Sequence, residues 1–159
     1  MSNERSKDGP HLGAMLRLVW QWVRDEIHAE VVQAGYDDLS SAHLMAFRYP
    51  SPDGMRPSEL AAGLQLSKQS VNDLVGHLEQ HGYLVREPDP ADGRARVLHL
   101  TARGRRLEQV VDDAARTAER RIAELLGAGR FTDLRDTLEE LSRELGGAPQ
   151  HGVSAPRRA

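Results

Sequence analysis

The sequence predicts a mainly α-helical fold that carries one small β-hairpin, and three observations lead there. Apolar residues recur at three- and four-residue steps through long stretches near both ends of the chain. Between them, residues 56–101 break into two short helical segments and two β-prone runs around a loop of proline, aspartate and glycine. The 159 residues, 39% hydrophobic and 28% charged, suit one domain, or one compact head with an added layer for pairing.

Residues 1–10 are polar and are expected to fray; they lack the apolar segment of a signal peptide. Leu12, Leu16, Val19, Trp20, Val23, Ile27 and Val31 then mark a long amphipathic helix over residues 11–34, closed by Gly35. A shorter helix is expected over 39–47, with Ser40 or Ser41 as its cap. Residues 48–54 hold two prolines and a glycine and read as a loop.

The central stretch is the informative one. Pro57 suits the first position of a helix, where its missing N–H would be unpaired anyway, and Glu59 falls in the first turn, favoured by the helix dipole. Leu60, Ala61 and Leu64 form a small apolar stripe, and Gly63-Leu64-Gln65 is expected to turn the chain toward Ser67. Val71, Leu74, Val75 and Leu78 lie on one side of the next helix; Lys68, Gln69, Asn72, Asp73 and His77 are expected on the other. Gly82 ends it at a left-handed cap position. Residues 83–87 and 96–100 read as strands joined by Pro88-Asp89-Pro90-Ala91-Asp92-Gly93. Helix, turn, helix, hairpin is a winged helix-turn-helix, whose second helix is shaped for a DNA major groove.

After the hairpin, Thr101 caps a helix to about residue 126, with Leu107, Val110, Val111, Ala114, Ala118, Ile122 and Leu125 along one side. Gly127-Ala128-Gly129 is expected to break it. Phe131, Leu134, Leu138, Leu141 and Leu145 then line a last helix. Residues 146–159 read as a disordered tail. The outer stripes, in 11–34 and 102–145, exceed what a head at 56–101 can cover, so two copies are expected to pair through them about a two-fold axis. Two heads would then meet successive major grooves about one helical turn apart.

The residues resemble those of the multiple-antibiotic-resistance regulator (MarR) family of bacterial winged-helix transcription factors. The match is carried by Arg56-Pro57-Ser58-Glu59-Leu60-Ala61, by Leu66-Ser67-Lys68-Gln69-Ser70-Val71, and by Leu78-Glu79-Gln80-His81-Gly82-Tyr83-Leu84-Val85-Arg86. Asp92-Gly93-Arg94, followed after five residues by Leu100-Thr101, fits the family's Asp-x-Arg-x5-Leu-Thr wing signature. The resemblance spans residues 12–145 and is sharp from 56 to 106. It implies a cytoplasmic homodimer on a palindromic operator, a repressor released by a small ligand lodged between the pairing helices and the head.

Ser67 and Ser70 are expected to hold phosphates, Lys68 and Gln69 to reach base edges, and Asn72 and His77 to face the duplex with them. Arg94, with Arg96 beside it, is expected to enter the minor groove from the wing, with Asp92 either orienting it or merely turning the hairpin. The net charge of −3 conceals a head, residues 56–106, with 8 basic and 6 acidic groups. That excess predicts salt-dependent binding without a strong basic field. For an effector, the family's ligand region corresponds to Trp20, Trp22, Arg24, His28, His43 and Phe47; an aromatic acid or phenol held by Arg24 or a histidine is the expectation. Trp20 and Trp22, two apart on one helix, cannot both face the core.

No phosphate loop, nucleophile elbow or carboxylate pair is present, so no catalytic residues and no cofactor are expected. Zero cysteines exclude disulfides and thiolate metal sites. His77 and His81 have a chelating i, i+4 spacing but no third ligand nearby in sequence; a metal-responsive regulator is the alternative they leave open, with no metal site assigned. A second alternative is a winged helix used only for protein contacts, against which the polar Ser-Lys-Gln-Ser face speaks. No apolar run approaches the about 18 residues that span a bilayer.

Overall fold

The computed structural model describes residues 9–48 and 51–145. The fraying expected at 1–8, the tail at 146–159 and loop positions 49 and 50 lie outside the described residues. The elements run α1 (Leu12–Gln33), α2 (Ser41–Arg48), α3 (Pro57–Leu64), α4 (Lys68–Gln80), β1 (Leu84–Pro88), β2 (Arg96–Leu100), α5 (Ala102–Leu126) and α6 (Ala128–Glu144). Among the described residues no helix is long and apolar enough to cross a membrane.

α2 starts two residues later than expected and β1 one, and two turns differ in kind. Gly63 lies inside α3, and the left-handed residue of the α3–α4 turn is Gln65, at φ 54°. The turn closes because Leu66 N–H reaches back to the Ala61 carbonyl (3.0 Å) while its side chain packs on the core, so burial outweighs the cost of a non-glycine there. Between α5 and α6 the break is one residue: Gly127 alone, at φ 83°, ends one helix and starts the next.

One core joins the elements. Ile27 and Val31 of α1, Leu44 and Phe47 of α2, Leu60 of α3, the four aliphatic residues of α4, and Leu107, Val111 and Ala114 of α5 meet around Tyr83. The hairpin pairs antiparallel with Leu84 opposite Leu100 and Pro88 opposite Arg96. The loop before α3 covers the second edge of β2. Gly54 N–H donates to the Leu98 carbonyl and Leu98 N–H to the Met55 carbonyl, both at 2.8 Å, while the Asp53 carboxylate accepts Leu100 N–H. An edge that would invite foreign strands is thereby closed.

The wing is seated on α5 by a close approach. A β-carbon on Gly104 would fall 2.1 Å from the Tyr83 carbonyl oxygen, so only glycine lets the first turn of α5 lie there. Thr101 caps the same turn, accepting Gly104 N–H and donating to the Gly82 carbonyl.

The two ends of the chain are less covered. The C-terminal half of α1 packs on α5, where Arg121 pairs with Glu26 and Glu30. Its N-terminal half leaves Leu12, Met15, Leu16, Leu18 and Val19 exposed, and α6 buries none of its residues.

Candidate nucleic-acid interface

α4 presents its polar face to solvent because its apolar face is fully used. Val71, Leu74, Val75 and Leu78 are buried; Ser67, Lys68, Gln69, Ser70, Asn72 and Asp73 are exposed. Ser67 caps the helix, its hydroxyl accepting Ser70 N–H at 3.0 Å, and the two serine hydroxyls lie 2.8 Å apart. Such a cap contributes about 1 kcal/mol and leaves both hydroxyls at the helix's positive end, where phosphate binds well. Gln69 is pinned by a 2.9 Å bond to the Asp73 carboxylate one turn on. That sets the amide's direction and gives the acid on this face a partner.

The basic residues of the head separate into two groups. Arg56, Arg86, Arg103 and Arg105 are each paired with a carboxylate, of Asp89, Glu79, Asp38 and Asp53 respectively. Lys68 on α4 and Arg94 and Arg96 on the wing have no such partner among the described residues and are exposed. Arg106 on α5 is likewise exposed with no such partner among the described residues, so three of the four unpaired cations stand on α4 and the wing, and α4 with its cap also carries the exposed serines and Gln69. Asp92 does not grip the Arg94 guanidinium: its carboxylate accepts Arg94 backbone N–H at 3.1 Å, turning the loop.

The wing is braced by a pair the sequence did not announce. Asp89, buried at the base of the loop, accepts two bonds from the Arg56 guanidinium and one from Ala91 N–H. Its carboxyl lies below the usual range, first because of Ala91 N–H and then because of Arg56.

His77 departs from its expected place. It is half-buried on the flank of α4, where its Nε2 donates to the Asp38 carbonyl at 2.9 Å, and its ring stacks on His43 at 3.8 Å. An angular position at the border of the two helix faces is decided by what packs beside it, here the α1–α2 loop and α2. His77 is therefore turned away from the face formed by Lys68, Gln69 and Asn72.

Behind it, Asp38 ties the α1–α2 loop to α5. Its carboxylate accepts Tyr83 Oη–H at 2.6 Å and Arg103 at 3.0 Å, and the Arg103 guanidinium lies over the Tyr83 ring, 4.5 Å from its centre. Burial, then the bond to Asp38, pushes the Tyr83 phenol up to about 12, against the pull of Arg103. Burial raises the Asp38 carboxyl, but Tyr83 and Arg103 outweigh it and the net shift is downward.

The residues expected to hold an effector are not gathered. Phe47 is in the core, edge-on to Tyr83. His28 Nε2 donates to the Leu39 carbonyl at 2.9 Å, and His43 belongs to the stack with His77. Trp20 and Trp22 lie on different faces of α1, 44% and 37% exposed, and Arg24 pairs with Asp25. Among the described residues no group of three or more His, Asp or Glu side chains is placed to hold a metal. Neither Arg56–Asp89 nor Asp38–Tyr83–Arg103 has a local signature; each joins residues far apart in the chain.

Comparison with known proteins places this arrangement. A family model described as MarR family matches residues 38–95, from the α1–α2 loop through the wing. The HTH-type transcriptional repressor Rv2887 of Mycobacterium tuberculosis (strain H37Rv) is 28% identical over 138 residues, covering 86% of this chain and 97% of the relative. The crystal structure of that protein in complex with salicylic acid matches with a TM-score of 0.66 at 29% identity, covering 84% of this chain and 98% of the other. The transcriptional activatory protein BadR of Rhodopseudomonas palustris is 31% identical over 93 residues, covering 58% of this chain and 52% of BadR.

Proposed function

We propose that the chain, which matches the MarR family over residues 38–95, is a DNA-binding transcriptional regulator rather than an enzyme and works as a homodimer on a palindromic operator, as a repressor released by a small aromatic acid. Within it, 11–34 and 102–145 form the pairing layer and 56–101 the reading head. The observation that carries the DNA contact is the sorting of the head's cations. Those held by carboxylates brace the fold; of those without such a partner among the described residues, Lys68, Arg94 and Arg96 stand on α4 and the wing beside the exposed polar face of α4, and Arg106 on α5. Lys68, Gln69 and Asn72 would read the major groove, Ser67 and Ser70 would anchor phosphates, and Arg94 would enter the minor groove.

Pairing is supported by the uncovered apolar surface of α1 and α6, which one copy leaves to water. The ligand class is supported by the salicylic acid held by Rv2887. Trp20 and Trp22 are exposed on α1 and Arg24 lies one turn after Trp20, offering rings and a cation for such a molecule. Repression follows the name of the relative matched over most of its length, Rv2887, rather than the half-covered BadR.

The test is selection of a duplex from a randomised pool, followed by titration at two salt concentrations with and without salicylate. A two-fold symmetric site, affinity falling with salt, and weakening by salicylate are expected. A selected pool without symmetry, or affinity indifferent to salt, would overturn the reading.

A further inference from the structure

His43 of α2 and His77 and His81 of α4 form a column of three imidazoles. The first two rings are parallel within 6° at 3.8 Å, and the next pair is 4.1 Å apart at 26°. The bonding around the column assigns the protons. Carbonyl oxygens only accept, so His77 Nε2, on the Asp38 carbonyl, and His81 Nδ1, on the His77 carbonyl, both carry hydrogen. His43 is the opposite case. Its Nδ1 accepts Ser40 backbone N–H at 3.1 Å, with the Ser40 hydroxyl at the same distance, so this nitrogen must be bare. His43 thus supplies at the start of α2 the half of a capping box that accepts the N-cap backbone N–H, with an imidazole where glutamate or glutamine is usual.

A proton on His43 would attack this arrangement in three ways at once. It would remove the acceptor that Ser40 N–H finds in His43. It would put a cation at the positive end of α2. It would also place that cation face to face with His77, with His81 behind. The charged and titratable groups around the column are Asp38 from the α1–α2 loop, Tyr83 before β1 and Arg103 from α5. Asp38 would favour the cation, but its carboxylate is already held by Tyr83 and Arg103. Parallel stacked rings cannot aim two nitrogens at one ion, which agrees with the absence of a metal-binding group among the described residues.

We propose that His43, His77 and His81 form a proton-sensitive latch that seats the recognition helix α4 against α2 while His43 is neutral and releases it when His43 is protonated. His43 is held below the ordinary imidazole value, first by burial and then by His77 and His81, against the pull of Asp38. Its neutral form thus adds stability that is fully present above the ordinary value of 6.5 and is lost as pH falls toward and through the lowered one. Only the consequence for operator affinity rests on the DNA-binding reading.

The sign of that consequence is diagnostic. Histidines facing phosphate bind tighter in acid, whereas a latch behind the helix binds weaker. The experiment compares wild type with His43→Gln, which keeps a capping acceptor but cannot take a proton. Thermal midpoint, amide exchange in α4 and affinity for a duplex selected at about pH 8 are followed down to about pH 5. Wild type is expected to lose about three- to tenfold more affinity than the variant, with faster exchange in α4 and a lower midpoint. His77→Gln, which keeps a donor for the Asp38 carbonyl but removes the middle ring, is expected to move the acid transition upward. It serves as the second arm should His43→Gln fold poorly. Equal pH dependence of wild type and His43→Gln in α4 exchange, or a relative gain of wild-type affinity in acid, overturns the latch. If no duplex binds at any pH the DNA reading fails, while α4 exchange and the midpoint still decide the latch.

Discussion

Arg56 and Asp89, 33 residues apart, are joined by two guanidinium bonds, of 2.8 and 2.5 Å, to one carboxylate oxygen. The first residue precedes α3 and the second opens the wing loop, so this pair sets the angle between the wing and the helix pair. Asp89→Asn is expected to weaken DNA binding by more than it lowers the thermal midpoint, because the loop stays attached through β1 and β2 but loses its aim. Binding and unfolding measured side by side check this. Stability drawn from the Asp89 carboxylate is present above the ordinary 3.8 and is lost as pH falls through its depressed value, so Asp89→Asn should flatten the acid limb of unfolding.

Arg94→Ala should lower affinity for every sequence about equally if the arginine meets phosphate, reducing the salt slope by about 1. If it enters an A·T-rich minor groove, the loss should be larger on A·T-flanked sites. Titration at several salt concentrations on two flank compositions separates these outcomes. Unchanged affinity and slope would remove Arg94 from the interface.

Gln69→Ala is expected to cost about 1–3 kcal/mol at one base position and to relax specificity there. The Gln69–Asp73 bond adds a second expectation. Asp73→Ala removes a repelling charge but frees the amide, so overall affinity should rise while discrimination at the Gln69 position falls. A base-substitution series for both variants is the check; Asp73→Ala retaining full discrimination would show that the bond does not orient Gln69.

Gly104→Ala puts a methyl against the Tyr83 carbonyl. Alanine gains about 1 kcal/mol of helix propensity at an ordinary site. Here overpacking against backbone should reverse the sign and cost about 1–3 kcal/mol. Denaturant unfolding reads it, and a stabilised variant would show that the wing moves freely on α5.

Leu138→Glu on α6 places a charge in the uncovered leucine stripe. If that stripe pairs two copies, sedimentation should show monomer at concentrations where wild type is dimeric, with the helical circular dichroism of the head retained. A dimer that survives the charge would move the interface elsewhere.

Local chemistry determined much of this molecule. The order of elements, the Ser67 and Thr101 caps, the left-handed Gly82 and the apolar stripe of α4 follow from propensity and periodicity acting over a few residues. The sequence therefore shows that Lys68, Gln69, Asn72 and Asp73 of α4 face outward. The tertiary structure decided what touches what. Asp38 with Tyr83 and Arg103, Arg56 with Asp89, and β2 with residues 53–55 join parts of the chain that no short-range pattern connects. His77 shows the boundary between the two most directly. Helical spacing put it on the outward side with Lys68 and Asn72, and only the packing of α2 and the Asp38 loop turned its ring inward, against His43.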